Sequence, residues 1–375
     1  MILKNCRIVD PFFSIESGYI EIEDGCIKNF GAGRISKGED FSGATLIPGF
    51  VDTHMHGALG FDTMDRDENG LRKIEEFLYS KGVTTFLPTT ISCPFDELIE
   101  TLDFIERYKE KYPFSSVEGV HVEGPYLSIE RKGAQNPKFI KSPDDEEVEK
   151  LLEYKETIKV ITIAPEIENA LKFIKIFEKS GITTALGHST ATYEDFLKAH
   201  MAGSRRITHF FNGMNPLHHR EVGLVGAGLI HEDVYVELIC DKVHSTPEAI
   251  KLVFKNKNFE KIILITDSMR ATGLEPGEYE LGKQKVIVDE TSARLEDGTL
   301  AGSILTLDRA VKNAVSITGL PLNEVLKSAV TAPLNSIKLY DRGRIMKGYK
   351  ADLVLLDDKL DVLMTIKNGR VVYSV

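Results

Sequence analysis

The sequence predicts an α/β fold, a (β/α)8 TIM-like barrel accompanied by a small β-sandwich domain built from both chain termini. Two observations predict it. Both ends of the chain alternate short apolar runs with turn residues, a pattern typical of small antiparallel strands. Between them, apolar runs alternate with longer amphipathic stretches, as in βα units on a parallel sheet. Eight such runs can be marked, at 46–54, 84–90, 117–123, 159–164, 183–188, 206–211, 234–241 and 261–267.

Length and charge limit the classes of function. The 375 residues suit one large domain with a smaller one, because α/β barrels routinely occupy 200–250 residues as one unit. With 46 basic and 57 acidic residues, the formal net charge is −11. No general basic field exists to attract nucleic acid or an anionic membrane, so we expect neither as a partner. A few placed cations would have to hold any anionic substrate.

The cysteines and the N-terminus indicate a cytoplasmic protein. The four cysteines are scattered without a CxxC motif, so neither a disulfide framework nor a cysteine zinc cluster is expected. The first residues, MILKNCR, carry charges where a signal peptide needs an apolar stretch, and no apolar run is long enough to span a membrane.

The two ends of the chain are predicted to form one discontinuous domain, residues 1–45 with 336–375. Residues 351–356 form a buried-strand run, and 364–373 have the pattern of a strand, an Asn-Gly turn and a second strand. Neither end is large enough to bury a core alone, so we expect the two to pair.

Residues 46–335 are assigned to the barrel. Charges at helical spacing predict helices between several of the apolar runs, including 69–81, 95–111, 168–179, 193–202 and 247–256. The segment 277–303, with four glycines around a short apolar run, interrupts the alternation. We predict an inserted β-hairpin there.

Polar residues collect where the barrel hypothesis requires an active site, at the C-terminal ends of the strands. Glu123 and Asp267 end two of the runs. Six of the ten histidines also lie at these ends, which makes a merely structural role for all of them improbable: His54, His56, His121, His188, His209 and His244.

Imidazoles and carboxylates together are the ligands of a hydrolytic Zn²⁺ or Fe²⁺ site. His54 and His56 are two residues apart, so in a strand their rings share a face, as do His121 and Glu123. Such a metal site would supply activated water near neutral pH. His121 has a second interpretation, as a buried partner of the site rather than a ligand.

Two segments resemble the amidohydrolase superfamily of metal-dependent hydrolases. They are LIPGFVDTHMHG at 46–57 and GYKADLVLLD at 348–357. Further segments resemble, in order along nearly the whole chain, the N-acetylglucosamine-6-phosphate deacetylase family within it: HVEGPY at 121–126, KGAQNP at 132–137, GHS at 187–189, THFFNGM at 208–214, DKVH at 241–244 and TDS at 266–268.

The resemblance implies roles for the metal-site residues. Glu123, His188 and His209 match the principal metal ligands of the family. His54 and His56 match a pair that supports a second metal in some members, so one or two divalent metals, zinc or iron, are expected. Asp267 matches the residue that takes a proton from the activated water and passes it to the leaving amine.

The resemblance also implies a substrate site. His244 and Arg220 match contacts to the substrate phosphate, with the arginine reaching in from the neighbouring subunit of a homodimer. Asn212 and Gly213 match the loop that lines the sugar. Gln135 stands where the family commonly has a histidine that reaches the carbonyl, and it can donate a hydrogen bond but carry no charge. Without the resemblance, residues 218–220 would equally suit a solvated charge run.

The function implied is metal-dependent hydrolysis of the acetamide of N-acetyl-D-glucosamine 6-phosphate, a reaction of amino-sugar metabolism. Two alternatives stay open. One is another amidohydrolase, acting on a different N-acetylated amino sugar or a cyclic amide. The other is a catalytically silent scaffold of the same fold, although such proteins usually lose metal ligands and here the set is intact.

Overall fold

A computed structural model describes all 375 residues. Its centre is a barrel of eight parallel strands, numbered here in chain order. Strands 3 to 8 form a continuous sheet, strand 1 pairs with strand 2, and isolated parallel bridges such as Met55 to Ser268 complete the ring. The strands are Phe50–Met55, Val83–Pro88, Val120–Glu123, Ile158–Ile163, Thr183–Leu186, Arg206–Ile207, Tyr235–Ile239 and Ile262–Ile265.

Amphipathic helices surround the barrel and bury their apolar faces against it. The helix Tyr193–Ala202 shows how the sequence sets the bounds. Thr192 and Asp195 form a capping box at its start, and Gly203 follows its end. The α-helices are Glu68–Ser80, Phe95–Lys111, Asp145–Glu153, Ala170–Ser180, Tyr193–Ala202, Gly223–Ile230, Pro247–Asn256, Leu307–Thr318, Leu322–Leu326 and Ala332–Ser336. None of the helices combines the length and the apolar character that crossing a membrane requires.

Strands from both chain ends form a second sheet. Thr45–Pro48 lies at its middle, parallel to Ile2–Asp10 and antiparallel to Leu353–Leu356. This sheet buries its own apolar cluster, apart from the barrel core. The division into domains and the β-sandwich architecture stay predictions. The other strands of this sheet are Phe13–Glu23, Cys26–Ala32, Glu39–Asp40, Val362–Lys367 and Arg370–Ser374.

Three predicted elements need correction. The apolar run 46–54 is not one strand, because the chain leaves the terminal sheet after Pro48 and enters the barrel at Phe50. The run 206–211 is a strand only at Arg206–Ile207, because the backbone bends from Thr208 onward where His209 joins the cluster of potential ligands. The insertion is a three-stranded antiparallel sheet rather than a hairpin, with strands Gly277–Leu281, Gln284–Val288 and Ala293–Leu295.

Candidate metal centre and active site

The predicted metal-site residues meet at the C-terminal end of the barrel. His54 lies in strand 1, and Glu123 ends strand 3. His188 and His209 follow strands 5 and 6 at the same edge, and Asp267 follows strand 8. All five are at least nine-tenths buried. Barrel closure therefore brings together side chains that are far apart in the sequence.

Glu123 lies at the centre of this group. Its Oε1 is 3.1 Å from His209 Nε2, 3.4 Å from His188 Nε2 and 3.5 Å from His54 Nε2. Its Oε2 lies 3.4 Å from His56 Nε2 and accepts a hydrogen bond of 2.8 Å from Gln135 Nε2. One carboxylate is thus within reach of four imidazoles.

Backbone contacts orient two of the imidazoles for ligation. His188 Nδ1 donates to the carbonyl of Arg131 at 2.8 Å, and His209 Nδ1 donates to the carbonyl of Asn212 at 3.0 Å. With Nδ1 protonated, each Nε2 carries a lone pair, and the two Nε2 atoms are only 3.0 Å apart. A divalent cation fits this donor set, since it binds such lone pairs together with the Glu123 carboxylate.

A second donor group adjoins the first. Asp267 Oδ1 lies 3.2 Å from His56 Nε2 and 3.6 Å from His54 Nε2. The Nε2 atom of His54 is buried without a hydrogen-bond partner. A buried nitrogen lone pair facing carboxylates is what a metal ligand provides, so the residues also fit a cation here.

The electrostatics of the cluster favour cations. Burial opposes charge on His56, but hydrogen bonds to Asp267 and Glu123 outweigh it and raise the pKa of His56 to about 10. Burial likewise opposes charge on Glu123, yet the surrounding imidazoles hold its pKa well below the usual range. The carboxylates thus stabilise positive charge at the histidine nitrogens, as a metal site requires.

Glu237, in strand 7, is a site residue that the sequence reasoning missed. Its fully buried carboxylate accepts hydrogen bonds from His54 Nδ1 at 2.9 Å, the backbone N–H of His209 at 3.1 Å and Thr208 Oγ1 at 2.9 Å. Arg206 Nε donates to it at 2.7 Å. The sequence does contain a signal for this pair. Arg206 and Glu237 are each the only charged residue of a buried strand, and a buried charge needs a partner of opposite sign.

His121 has the surroundings of a structural residue. Its Nδ1 donates to the carbonyl of Thr53 at 3.1 Å, and its Nε2 accepts from Thr162 Oγ1 at 2.7 Å. Burial, together with neighbouring His54, holds the pKa of His121 well below its usual value. Both ring nitrogens are therefore engaged within the protein.

An open pocket leads from solvent to the metal-site residues. Four predicted substrate-site residues line it: Gln135, Asn212, Gly213 and His244. The inserted sheet and the chain after it supply part of the wall, through Leu281, Thr299, Leu300 and Gly302. The insertion thus belongs to the site as well as to the fold.

Two of these lining residues are held by short contacts. Gln135 Oε1 accepts from the backbone N–H of Ser92 at 2.7 Å, so its amide is fixed between that group and Glu123. His244 Nδ1 lies 2.6 Å from Asp241 Oδ2. The Asp241 carboxylate accepts from His244 Nδ1 and so orients the ring, whose other nitrogen can face an anion as a donor only when it carries a proton.

Arg220 stands apart from this pocket. It is exposed, its Nη1 lies 2.9 Å from His219 Nε2, and it does not line the pocket of its own chain. The lining residues of one chain contain no lysine or arginine.

Two residues of the site, His188 and Asp267, have a strained backbone. His188 and Asp267 have φ of 48° and 52°, where residues other than glycine are uncommon. Gly213, with a φ of 61° that glycine adopts without strain, lies so close to the proposed ligands that an added Cβ would be 3.1 Å from His188 Nδ1. The surrounding packing holds these conformations, as is typical of functional sites.

Comparison with known proteins agrees with this architecture. Residues 45–372 match the Amidohydrolase family, so the chain belongs to that family, which consists of metal-dependent hydrolases.

Within the family, the chain is similar over its full length to N-acetylglucosamine-6-phosphate deacetylases. It is 37% identical to that of Lysinibacillus sphaericus over 99% of this chain and 97% of the relative. The crystal structure of the Thermotoga maritima enzyme is 44% identical, covers 100% of both chains and has a TM-score of 0.94. A mutant enzyme from Mycobacterium smegmatis, solved in complex with N-acetyl-D-glucosamine-6-phosphate, is 31% identical over 100% of this chain and 99% of its own, with a TM-score of 0.95.

Proposed function

We propose that this chain hydrolyses the acetamide of N-acetyl-D-glucosamine 6-phosphate to D-glucosamine 6-phosphate and acetate. The observation that carries the proposal is the group Glu123, His188 and His209, whose ligand atoms face one another at the base of the pocket with Asp267 beside them. The similarity to deacetylases of this substrate over the whole chain supports the choice of substrate.

Glu123, His188 and His209 would hold one divalent metal, and His54 and His56 with Asp267 would support a second. Imidazole and carboxylate donors suit zinc and iron, and we propose one of these two as the native metal. When bound, the metal polarises the substrate carbonyl and makes a coordinated water more acidic.

Asp267 moves the proton. Its carboxylate lines the pocket and lies beside the ligand group, so it can accept a proton from the attacking water. As the carbon–nitrogen bond breaks, the same group gives that proton to the leaving amine. One carboxylate thus acts as base and then as acid.

The pocket walls orient the sugar and its acyl group. Asn212 and Gly213 line the pocket, and Gly213 lies beside the ligand histidines, so the two residues would line the sugar ring. Gln135 is the proposed hydrogen-bond donor toward the acetyl carbonyl. Donation to the substrate would require its Nε2 hydrogens to be shared with Glu123.

We propose that two chains complete the phosphate site. His244 lines the pocket and is oriented by Asp241, whereas Arg220 is exposed outside it. An Arg220 contributed by the second subunit of a homodimer would supply the missing positive charge.

A substrate comparison tests the function. Metal-loaded protein should release acetate from N-acetylglucosamine 6-phosphate far faster than from unphosphorylated N-acetylglucosamine, because the phosphate contributes binding energy. The galactosamine epimer distinguishes another amino-sugar deacetylase, and a cyclic amide distinguishes a different amidohydrolase. If the metal-loaded protein hydrolysed none of these substrates, the remaining interpretation would be a catalytically silent scaffold.

We also propose a cytoplasmic location, which the four free cysteines favour.

A further inference from the structure

A second group of metal-type ligands lies on the outer surface of the barrel, away from the active site. His200 is in the last turn of the helix Tyr193–Ala202, and His231 directly follows the helix Gly223–Ile230. With Asp233, they offer three ligand atoms that all lie within 4.8 Å of one another. Neither histidine has a role in the proposed reaction.

The contacts within this group are short. His200 Nε2 lies 2.9 Å from Asp233 Oδ2 and 3.2 Å from Asp233 Oδ1. The rings of His200 and His231 have centroids 5.1 Å apart, and the Tyr193 hydroxyl lies 2.9 Å from His231 Nε2.

We propose that His200, His231 and Asp233 form a second binding site for a divalent transition metal of the zinc class. Two imidazoles and one carboxylate are a common protein ligand set for such ions, and water completes the coordination. The ion would join the C-terminal ends of two neighbouring helices. The proposal does not depend on the activity of the barrel site.

Positive charges beside the group still leave a carboxylate oxygen available. Arg205 Nε lies 2.7 Å from Asp233 Oδ2, so Oδ1, whose contact at 3.2 Å is the proposed ligand atom His200 Nε2, is the oxygen that would bind a metal. Lys257 Nζ donates to the backbone carbonyl of His231 at 2.7 Å and therefore fixes the loop rather than competing for the ligand atoms.

The surroundings hold the two rings in place. The Phe196 ring packs against both, with centroid separations of 5.4 Å to His200 and 4.8 Å to His231. The backbone N–H of His231 donates to the carbonyl of Ala227 at 3.0 Å. Because ring packing and helix-end geometry already fix both imidazoles, binding requires little further ordering.

Zinc binding to the metal-loaded holoenzyme tests the site. Calorimetric titration with Zn²⁺ at pH 7.5, where free imidazole is mostly neutral, should show one further ion per chain with micromolar or tighter affinity. His200→Ala and His231→Gln should each weaken this binding at least tenfold, and so should Asp233→Asn. Glu232→Gln is the matched control, because it removes an exposed neighbouring carboxylate outside the group and should leave binding unchanged.

A melting experiment provides the second readout. Micromolar Zn²⁺ should raise the melting temperature of the holoenzyme and of Glu232→Gln, and the increase should be absent in the three site variants. Melting without added zinc reports whether each variant folds, and at least one folded site variant suffices for the comparison. No further zinc ion in the parent protein, or equal zinc binding in a folded site variant, would overturn the proposal and leave these residues as an ordinary ion-pair network.

Discussion

At the scale of single residues, Glu237 connects parts of the site that come from different strands. It binds the Nδ1 atom of His54 in strand 1 and the backbone N–H of His209 after strand 6. Arg206, which is itself fully buried, compensates its charge through an ion pair of 2.7 Å. The carboxylate thus fixes the tautomer of one proposed ligand and the position of another, the role that partners of metal-bound histidines commonly have.

Glu237→Gln should therefore lower metal affinity by about 10- to 100-fold, the range typical for loss of such a partner. Glutamine keeps the size but leaves Arg206 without its countercharge and offers an N–H where an acceptor is required. Equilibrium dialysis against a chelator buffer measures the metal affinity. Glu232→Gln, the same change at an exposed position, is the control. Unaltered metal affinity in a folded Glu237→Gln protein would contradict this role.

Asp267→Asn separates proton transfer from metal binding. Asparagine keeps the size and one acceptor oxygen, so we expect the substrate and the metal held by Glu123, His188 and His209 still to bind. Turnover should fall by about 10²- to 10⁴-fold, the contribution usual for general acid–base catalysis. Metal content and kcat are measured on the same preparation. Loss of the metal would make Asp267 chiefly a ligand, and near-normal turnover with metal bound would mean that another group moves the proton.

At the scale of elements, the loop after strand 6 depends on a glycine. Gly213→Ala would put a Cβ at 3.1 Å from His188 Nδ1 and 3.3 Å from His209 Cε1, in a backbone conformation that costs alanine about 1–2 kcal/mol. Both proposed ligands would have to move. We expect a loss of kcat/KM and of metal affinity, along with a lower free energy of unfolding.

Gly181→Ala provides a matched comparison for this change. Gly181 also has a positive φ, of 98°, at the end of the helix Ala170–Ser180, but nothing lies within 4 Å of an added Cβ. It should reduce stability similarly and leave activity intact. Equal kinetic effects of the two substitutions would show that backbone strain alone accounts for the loss. No kinetic effect of Gly213→Ala would show that the closeness of residue 213 to the proposed ligands does not matter.

Local sequence patterns predict the bounds of some helices but not the point where the chain passes from one sheet to another. Helices such as Phe95–Lys111 and Pro247–Asn256 have the predicted bounds because charge spacing is a local signal, and the Thr246 side chain caps the start of the second helix. The run 46–54 was misassigned because periodicity cannot show that the chain passes between sheets at Gly49, where a Cβ would be 2.2 Å from Thr84 Oγ1. That close approach depends on tertiary packing.

The same distinction applies to the site. His54 and Glu123 were predicted as site residues because barrel topology places strand ends together whatever the loops do. Glu237 was missed because its partner, His54, is 183 residues away and the contact depends on barrel closure. The position of Arg220 outside the pocket likewise depends on how the loop folds.

At the scale of the whole molecule, charge poses a problem that one chain does not solve. The protein carries a net charge of −11, and its pocket contains Glu123 and Asp267 but no lysine or arginine. A sugar phosphate entering it meets a negative field, offset only by metal and imidazoles. A cation from a second copy would supply charge, and isologous pairing in a dimer would give each pocket one Arg220.

Arg220→Ala tests this arrangement directly. A charge-assisted hydrogen bond contributes about 1.5–3 kcal/mol, so KM for the phosphorylated sugar should rise about ten- to a hundredfold. KM for unphosphorylated N-acetylglucosamine should hardly change, because that substrate has no group for the arginine to bind. Equal effects on both substrates would remove Arg220 from the phosphate site.

Mixed dimers then show which subunit supplies the arginine. Arg220→Ala chains retain their metal ligands, whereas His188→Ala chains lose a ligand but keep Arg220, so each homodimer should be nearly inactive at low substrate. In a hybrid, the pocket of the Arg220→Ala chain receives the arginine of its partner, and one of the two sites is complete. Random mixing should therefore restore about a quarter of the wild-type sites. Recovery that follows the fraction of hybrids requires an arginine acting across the interface, whereas activity no greater than the sum of the two homodimers would assign Arg220 to its own chain.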